Sequence, residues 1–130
     1  MGIERKILLS IKPEYAEKIL NGTKLFEFRK NIPLDKSIRK IIIYATKPIG
    51  MVVGEFEFDE VLRESPENLW QRTKDGAWIT KDYFDQYFSG CKYACAVVIK
   101  NPKRYSAPKE LTVVSGSSTP PQSFRYITID

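Results

Sequence analysis

The sequence contains no histidine. This absence excludes Ser-His-Asp and Cys-His nucleophilic machinery built within the chain. It also excludes metal sites ligated by imidazole, and it removes the usual general base of neutral pH. Any acid–base work falls to Lys, Glu, Asp, Tyr or Cys. Cysteine is nearly as scarce. Cys91 and Cys95 are the two present; they lie four apart in a strand-like run, roughly 13 Å from each other along an extended chain. That is too far for a disulfide, and two thiols alone do not complete a zinc site. The expectation is reduced thiols in a cytoplasmic protein, with no metal and no cofactor. Long apolar runs are missing as well. Ile41–Ile43 and Val97–Ile99 fall far short of the roughly 20 residues of a membrane span. The charged start MGIERKILL lacks the apolar stretch of an export signal. No membrane partner is expected.

What remains is a chain of 130 residues, 42% hydrophobic and 28% charged, which suits one domain with its own core over residues 1–130. The net charge is +5, and it is unevenly spread: residues 1–50 carry +6, residues 51–90 carry −5 and residues 91–130 carry +4. If the two ends of the chain share a face, that face is basic and suits a polyanion. The acidic middle segment would then lie away from it.

Alternation and capping signals place the elements. Residues 6–11 read as a strand. Pro13 opens a helix over 13–21, which Asn21-Gly22 stops. Residues 24–30 (KLFEFRK) alternate, with Phe26 and Phe28 on one face and Leu25, Glu27 and Arg29 on the other. Residues 39–46 and 50–61 are two further strands, the second bent or bulged at Gly54. Ser65 and Thr80 cap helices over 66–73 and 81–89, so 66–89 forms a helical insert. Its aromatic stripe, Tyr83, Phe84, Tyr87 and Phe88, is expected to pack on the sheet, whereas Trp78 sits on a loop as a candidate for ligand stacking. A long strand over 92–105 has Pro102 as the mark of an edge or bulge, 115–123 is a loop, and 124–129 is a last strand. The pattern predicts an α+β fold: a small, strongly curved β-barrel of five to six mostly antiparallel strands with about three peripheral helices.

The informative stretch is Gly22-x-Lys24-x-x-Glu27-x-Arg29, which leaves a helix and opens a strand. Glu27 and Arg29 share a strand face, where they either pair with each other or jointly bind a polar ligand. Lys24 stands at the strand mouth. A Lys and a Glu in one concavity act as a proton-transfer pair once burial shifts their pKa values.

This GxKxxExR arrangement resembles the ASCH domains of the PUA-like superfamily. The stretches 7–30, 41–62, SPENLW (65–70) and PPQSFRYI (120–127) are similar to the bacterial and phage members described as predicted transcriptional regulators. The resemblance covers nearly the whole chain. It implies a PUA-like barrel with a cleft beside the first helix, and a function in RNA or nucleotide binding, with a regulatory role in some members. It also implies an alternative. Some small members are amidohydrolases of 4-acetylcytidine that use the Lys matching Lys24; their Thr is replaced here by Glu27, and Asp75 is the acid nearest the place of their catalytic Glu. If the chain is an enzyme, Lys24 and Glu27 are its catalytic pair. Binding rather than catalysis is the first expectation.

By the same resemblance, Ser10, Lys12, Arg29, Tyr44, Thr46, Gln122 and Ser123 line the cleft. Tyr44 serves there as a stacking platform, or else as plain core. Such a set suits a nucleobase, which stacks on an aromatic ring and presents its edge to polar groups. Lys30, Arg39, Lys40, Lys47, Lys103, Arg104 and Arg125 are candidates for the nucleic-acid backbone. The expected partner is single-stranded or structured RNA, or a nucleotide, bound by a monomer.

Overall fold

The computed structural model describes residues 4–32, 35 and 37–129. Two sheets carry the fold. The larger is built from β1 (Glu4–Ile11), β3 (Lys40–Ala45), β4 (Met51–Glu57), β7 (Lys100–Lys109) and β8 (Phe124–Ile129), in the order β7-β4-β3-β1-β8. The smaller holds β2 (Phe26–Arg29), β5 (Val61–Glu64) and β6 (Ala94–Val98), in the order β2-β6-β5. All pairs are antiparallel except β1 with β3, where Ser10 stands opposite Tyr44. A parallel pair needs a crossover. Here it runs through α1 (Pro13–Leu20) and β2.

Residues 7–9 of β1 and 41–45 of β3 are continuous apolar runs, buried on both faces. Ile7, Leu9 and Ile11 join Ile41, Ile43, Phe56 and Val97 in the core between the sheets, with Ala16 and Ile19 of α1 closing it. Leu8, Ile42 and Tyr44 face the other way, onto Val52, Ile127 and Leu111 of α4 (Leu111–Ser115). On the small sheet, Phe28, Leu62 and Ala96 meet Leu69 of α2 (Pro66–Thr73) and Phe84 of α3 (Lys81–Tyr87) in a separate cluster.

The α+β class and the covered sheet agree with the expectation, and the closed barrel does not. Eight strands form two hydrogen-bonded sheets, and among the described residues no ladder joins one to the other. Their facing side chains pack together instead of closing edge to edge. The predicted strand 92–105 is two strands. The chain leaves β6 of the small sheet at Val98 and enters β7, at the edge of the large one, at Lys100, a corner of the kind that lets a chain change sheets. Asn101, with φ 47°, lies just inside β7 where its pairing with β4 is bulged, and asparagine tolerates this left-handed conformation better than most residues. Pro102 therefore does lie on an edge strand. α4 was not expected, and the loop begins only after it. The bulge near Gly54 is present: β4 fits Val53 as an extra residue where Ile43 faces Gly54 and Tyr44 faces Val52. Gly54 also permits close approach. A Cβ there would lie 2.5 Å from the Lys103 carbonyl oxygen and 2.7 Å from Leu20 Cδ2.

Candidate functional site

α1 starts on Pro13, ends at Leu20 and is capped by Asn21, and Gly22, at φ 85°, turns the chain back. The amides of Thr23 and Lys24 then both bond the Lys18 carbonyl, at 2.9 Å each. This turn drives the Lys24 side chain inward to 2% exposure. Its Nζ donates to the Ala77 carbonyl at 2.7 Å and lies 4.9 Å from the Phe28 ring centroid and 5.4 Å from that of Tyr15. Burial pushes the Lys24 ammonium down from its ordinary value to about 8, with the Glu27 carboxylate pulling part of the way back. Ala77 is placed by Gly76, whose carbonyl accepts the Leu25 amide at 2.8 Å.

The β2 alternation puts Phe28 into the core cluster and turns Glu27 and Arg29 the other way. Glu27 is 5% exposed. Arg29 answers it with two nitrogens on one oxygen: Nε and Nη2 approach Glu27 Oε2 at 2.9 and 2.8 Å. The guanidinium is tied further, since Nη2 donates to the Ser10 carbonyl at 2.7 Å and Nη1 reaches Ser123 Oγ at 3.4 Å. Ser10 Oγ donates to the Pro121 carbonyl at 2.6 Å. The sequence left two alternatives for Glu27 and Arg29. They pair, and as a pair they wall a cavity.

That cavity, of about 160 Å³, is lined by Ser10, Lys12, Lys24, Glu27 and Arg29 together with Tyr15, Phe28, Ile79, Tyr83 and Tyr87. Lys12 Nζ donates to Tyr83 Oη at 3.3 Å. Tyr15 also donates to Tyr83, and these two hydrogen bonds hold the Tyr83 phenol below its ordinary value, while burial and its Tyr83 neighbour push Tyr15 up. Burial raises Tyr87 too. Lys30 Nζ flanks the rim, 5.3 Å from the Tyr87 ring centroid. The arrangement offers a desolvated amine, a fixed guanidinium, two further ammonium groups and three phenol rings. It can grip a planar, anion-bearing ligand.

The predicted residues divide. Lys12, Lys24, Glu27, Arg29 and Ser10 meet at the cavity, and Ser123 joins through Arg29. Tyr44 does not. It is 5% exposed and packs under α4, the plain-core alternative. Thr46 sits in the turn after β3, its carbonyl accepting the amides of Ile49 and Gly50. Gln122 is exposed and outside the cavity wall. The supposed backbone track is also dispersed. Lys40 pairs with Glu55 at 3.3 Å and Arg104 with Glu17 at 2.6 Å. Lys103 stands on edge strand β7, Arg39 just before β3, and Lys47 is exposed in the turn after it. Arg125 lines a different cavity beside α4, with its Nη1 buried and unpartnered. Nor does the acidic middle segment lie away from the basic residues, because its helix α3 supplies Tyr83 and Tyr87 to the same cavity. Those two and Tyr15 are the site residues that sequence reasoning passed over. Their only signal was a phenol hydroxyl at the margin of an apolar stripe. Among the described residues, no cluster of three or more His, Cys, Asp or Glu side chains could hold a metal ion, and no helix is long and apolar enough to cross a membrane.

The chain matches the ASCH domain model over residues 9–107. It is 30% identical over 125 residues to an ASCH domain-containing ribonuclease of Zymomonas mobilis, covering 95% of this chain and 84% of that protein. A crystal structure of the ASCH protein from Zymomonas mobilis superimposes with a TM-score of 0.85 at 28% identity, over 94% of this chain and 87% of the other. The chain is also 30% identical over 122 residues to large ribosomal subunit protein uL22 of Ureaplasma parvum, of which it covers 39%.

Proposed function

This chain belongs to the ASCH domain family, and on that premise we propose that it binds single-stranded RNA in the Lys24 cleft and cuts the strand there. The observation that carries the reading is the burial of an amine, at 2% exposure, in an aromatic-walled cavity next to a fixed guanidinium. A cavity of about 160 Å³ has room for one splayed base and excludes a duplex, which favours unpaired nucleotides. The rings of Tyr15, Tyr83 and Tyr87 supply stacking surface, and Lys12, Arg29 and Lys30 supply charge for the phosphate. A ribonuclease among the relatives directs the reading to RNA.

With its pKa near 8, Lys24 is neutral in a usable fraction of molecules close to neutral pH, the property a general base needs. It takes the proton from a ribose 2′-hydroxyl. The freed oxygen attacks the adjacent phosphorus, and the bond to the 5′-oxygen breaks with formation of a 2′,3′-cyclic phosphate. The leaving oxygen takes a proton from the Lys12–Tyr83 pair.

The test is binding and cleavage of a labelled unpaired RNA. Lys24→Ala is expected to abolish cleavage and Arg29→Ala to weaken binding at least tenfold. The cleavage rate is expected to rise with pH up to about 8 and then level, and Lys24→Arg, whose side chain stays protonated, is expected to lose that rise. Undiminished cleavage by Lys24→Ala overturns the mechanism. No binding of any RNA overturns the whole reading, and binding without cleavage leaves an RNA-binding domain of regulatory type. The small cavity also favours a second reading, hydrolysis of a modified nucleoside such as 4-acetylcytidine by Lys24 and Glu27. Incubation with that nucleoside beside a Lys24→Ala control decides it, and equal product from both removes it.

A further inference from the structure

A second cavity, of about 570 Å³, adjoins the first and shares Tyr15, Ile79 and Tyr83 with it. Its own lining adds Trp78, Glu14, Lys74 and Asp75. Trp78 is doubly unusual. Its backbone stands at φ 53°, a left-handed conformation that is costly for a bulky L-residue. Its side chain is 38% exposed. Exposed aromatic surface on a strained backbone is the kind of outlier from which a binding role is argued.

The indole is held in place. Tyr15 meets it edge to face at 6.1 Å between ring centroids, and Lys18 Nζ lies 5.2 Å from the ring centroid. The residue before it, Ala77, accepts the hydrogen bond from Lys24 at 2.7 Å. One short turn therefore fixes both the buried amine of the first cavity and the indole of the second. The charges select what the second cavity takes. Glu14 and Asp75 line it against Lys74, which donates to Gln71 at 3.2 Å. Two carboxylates repel a phosphate, but they accept the N–H groups on the edge of a base.

We infer that this cavity is a second base subsite, in which a nucleobase stacks on Trp78 while the neighbouring nucleotide of the same strand occupies the Lys24 cleft. The inference rests on the RNA reading above and extends it: the ligand is a run of at least two unpaired nucleotides, held on two aromatic platforms with Tyr15 and Tyr83 between them.

The probe is a 2′-O-methylated tetracytidylate, which cannot be cut through its 2′-oxygen. Trp78→Gly removes the ring and relieves the left-handed strain, so the fold should persist, with a thermal midpoint at or near that of the parent protein. Its affinity for the probe should fall roughly fivefold to a hundredfold, the range of one lost base–aromatic stack. Trp78→Phe should keep most of the affinity. In Trp70→Phe, Trp78 is the only tryptophan left of the two, and the probe should quench its fluorescence on binding. Parent-like affinity in Trp78→Gly, or unchanged fluorescence at saturating probe, overturns the subsite while Lys24-dependent binding leaves the first cleft standing. If Trp78→Gly does not fold, the fluorescence result decides alone. If the parent protein binds neither this probe nor the unpaired RNA of the cleavage test, the RNA reading fails and takes the subsite with it; binding of that RNA but not of the probe overturns the subsite alone.

Discussion

Burying the ammonium of Lys24 costs free energy that its single carbonyl partner and two ring faces do not fully return. A fall from 10.5 to about 8 corresponds to about 3 kcal/mol of disfavour for the charged form. The sign follows from proton counting. In the unfolded chain Lys24 holds its proton until pH approaches 10.5, whereas in the folded chain it releases it near 8. Between those values the unfolded state binds more protons, so stability rises with pH through this window. Below pH 8 the cost is fully present. Lys24→Met keeps the volume and removes the charge, at the expense of an unmet Ala77 carbonyl. We expect it to stabilise the fold by about 2 kcal/mol at pH 7, with the gain shrinking as pH approaches 10.5. Denaturant melts of both proteins at pH 7 and pH 10 measure this. A Lys24→Met protein less stable than its parent at pH 7 contradicts the account.

The elements hold the site together from outside the cleft. α3 brings Tyr83 and Tyr87 to it, and its first turn is capped by Thr80, whose Oγ1 accepts the Tyr83 amide at 3.1 Å. Losing an N-cap of this kind costs about 1 kcal/mol. Thr80→Ala is therefore expected to lower stability by about that much and to weaken binding in the cleft, because the capped residue is itself a cleft wall. Chemical melts and RNA titrations check both halves; full affinity would show that Tyr83 is held by its Lys12 and Tyr15 bonds alone. The same helix shows what the sequence could and could not disclose. Its capping Thr and helical spacing were legible. The stripe of Tyr83, Phe84, Tyr87 and Phe88 was legible as a stripe, but a stripe wider than one contact has two neighbours. Phe84 and Phe88 face the core while Tyr83 and Tyr87 face the cleft, and spacing alone does not divide them. β2 was easier, because strict alternation sorts Glu27 and Arg29 from Phe28 whatever the surroundings. Tyr44 was harder, because both faces of β3 are covered and alternation then says which face but not what lies on it. Gly54 and Pro102 marked a bend and an edge. Those signals serve a two-sheet corner as well as a closed barrel, so closure was not there to be read.

Charge is a property of the whole molecule, and the fold redistributes it. The seven candidate backbone cations and Lys12, Lys24 and Arg29 of the cleft are ten basic residues that would make a phosphate track if they shared a face. Arg104 and Lys40 are instead matched by Glu17 and Glu55, Arg125 lines a cavity of its own, and Arg29 is matched by Glu27 within the cleft. Around the cleft, among the described residues, Lys12 and Lys30 have no carboxylate in an ion pair with them, and together with the guanidinium of Arg29 they supply three cations to the phosphate. Counterion release scales with the phosphates neutralised, at roughly −0.7 in log affinity against log salt for each one on a single strand. Ten contacts would give a slope of roughly −7, and three give roughly −2. We expect the shallow slope, so a fourfold rise in salt should cost roughly twentyfold in affinity instead of roughly 10⁴-fold, the remainder being carried by stacking on the tyrosines and by hydrogen bonds to the base. Titration of an unpaired RNA between low and high salt measures it. A slope near −7 would mean that the dispersed cations converge on the strand after all, and that binding is governed by the basic surface rather than by the cleft.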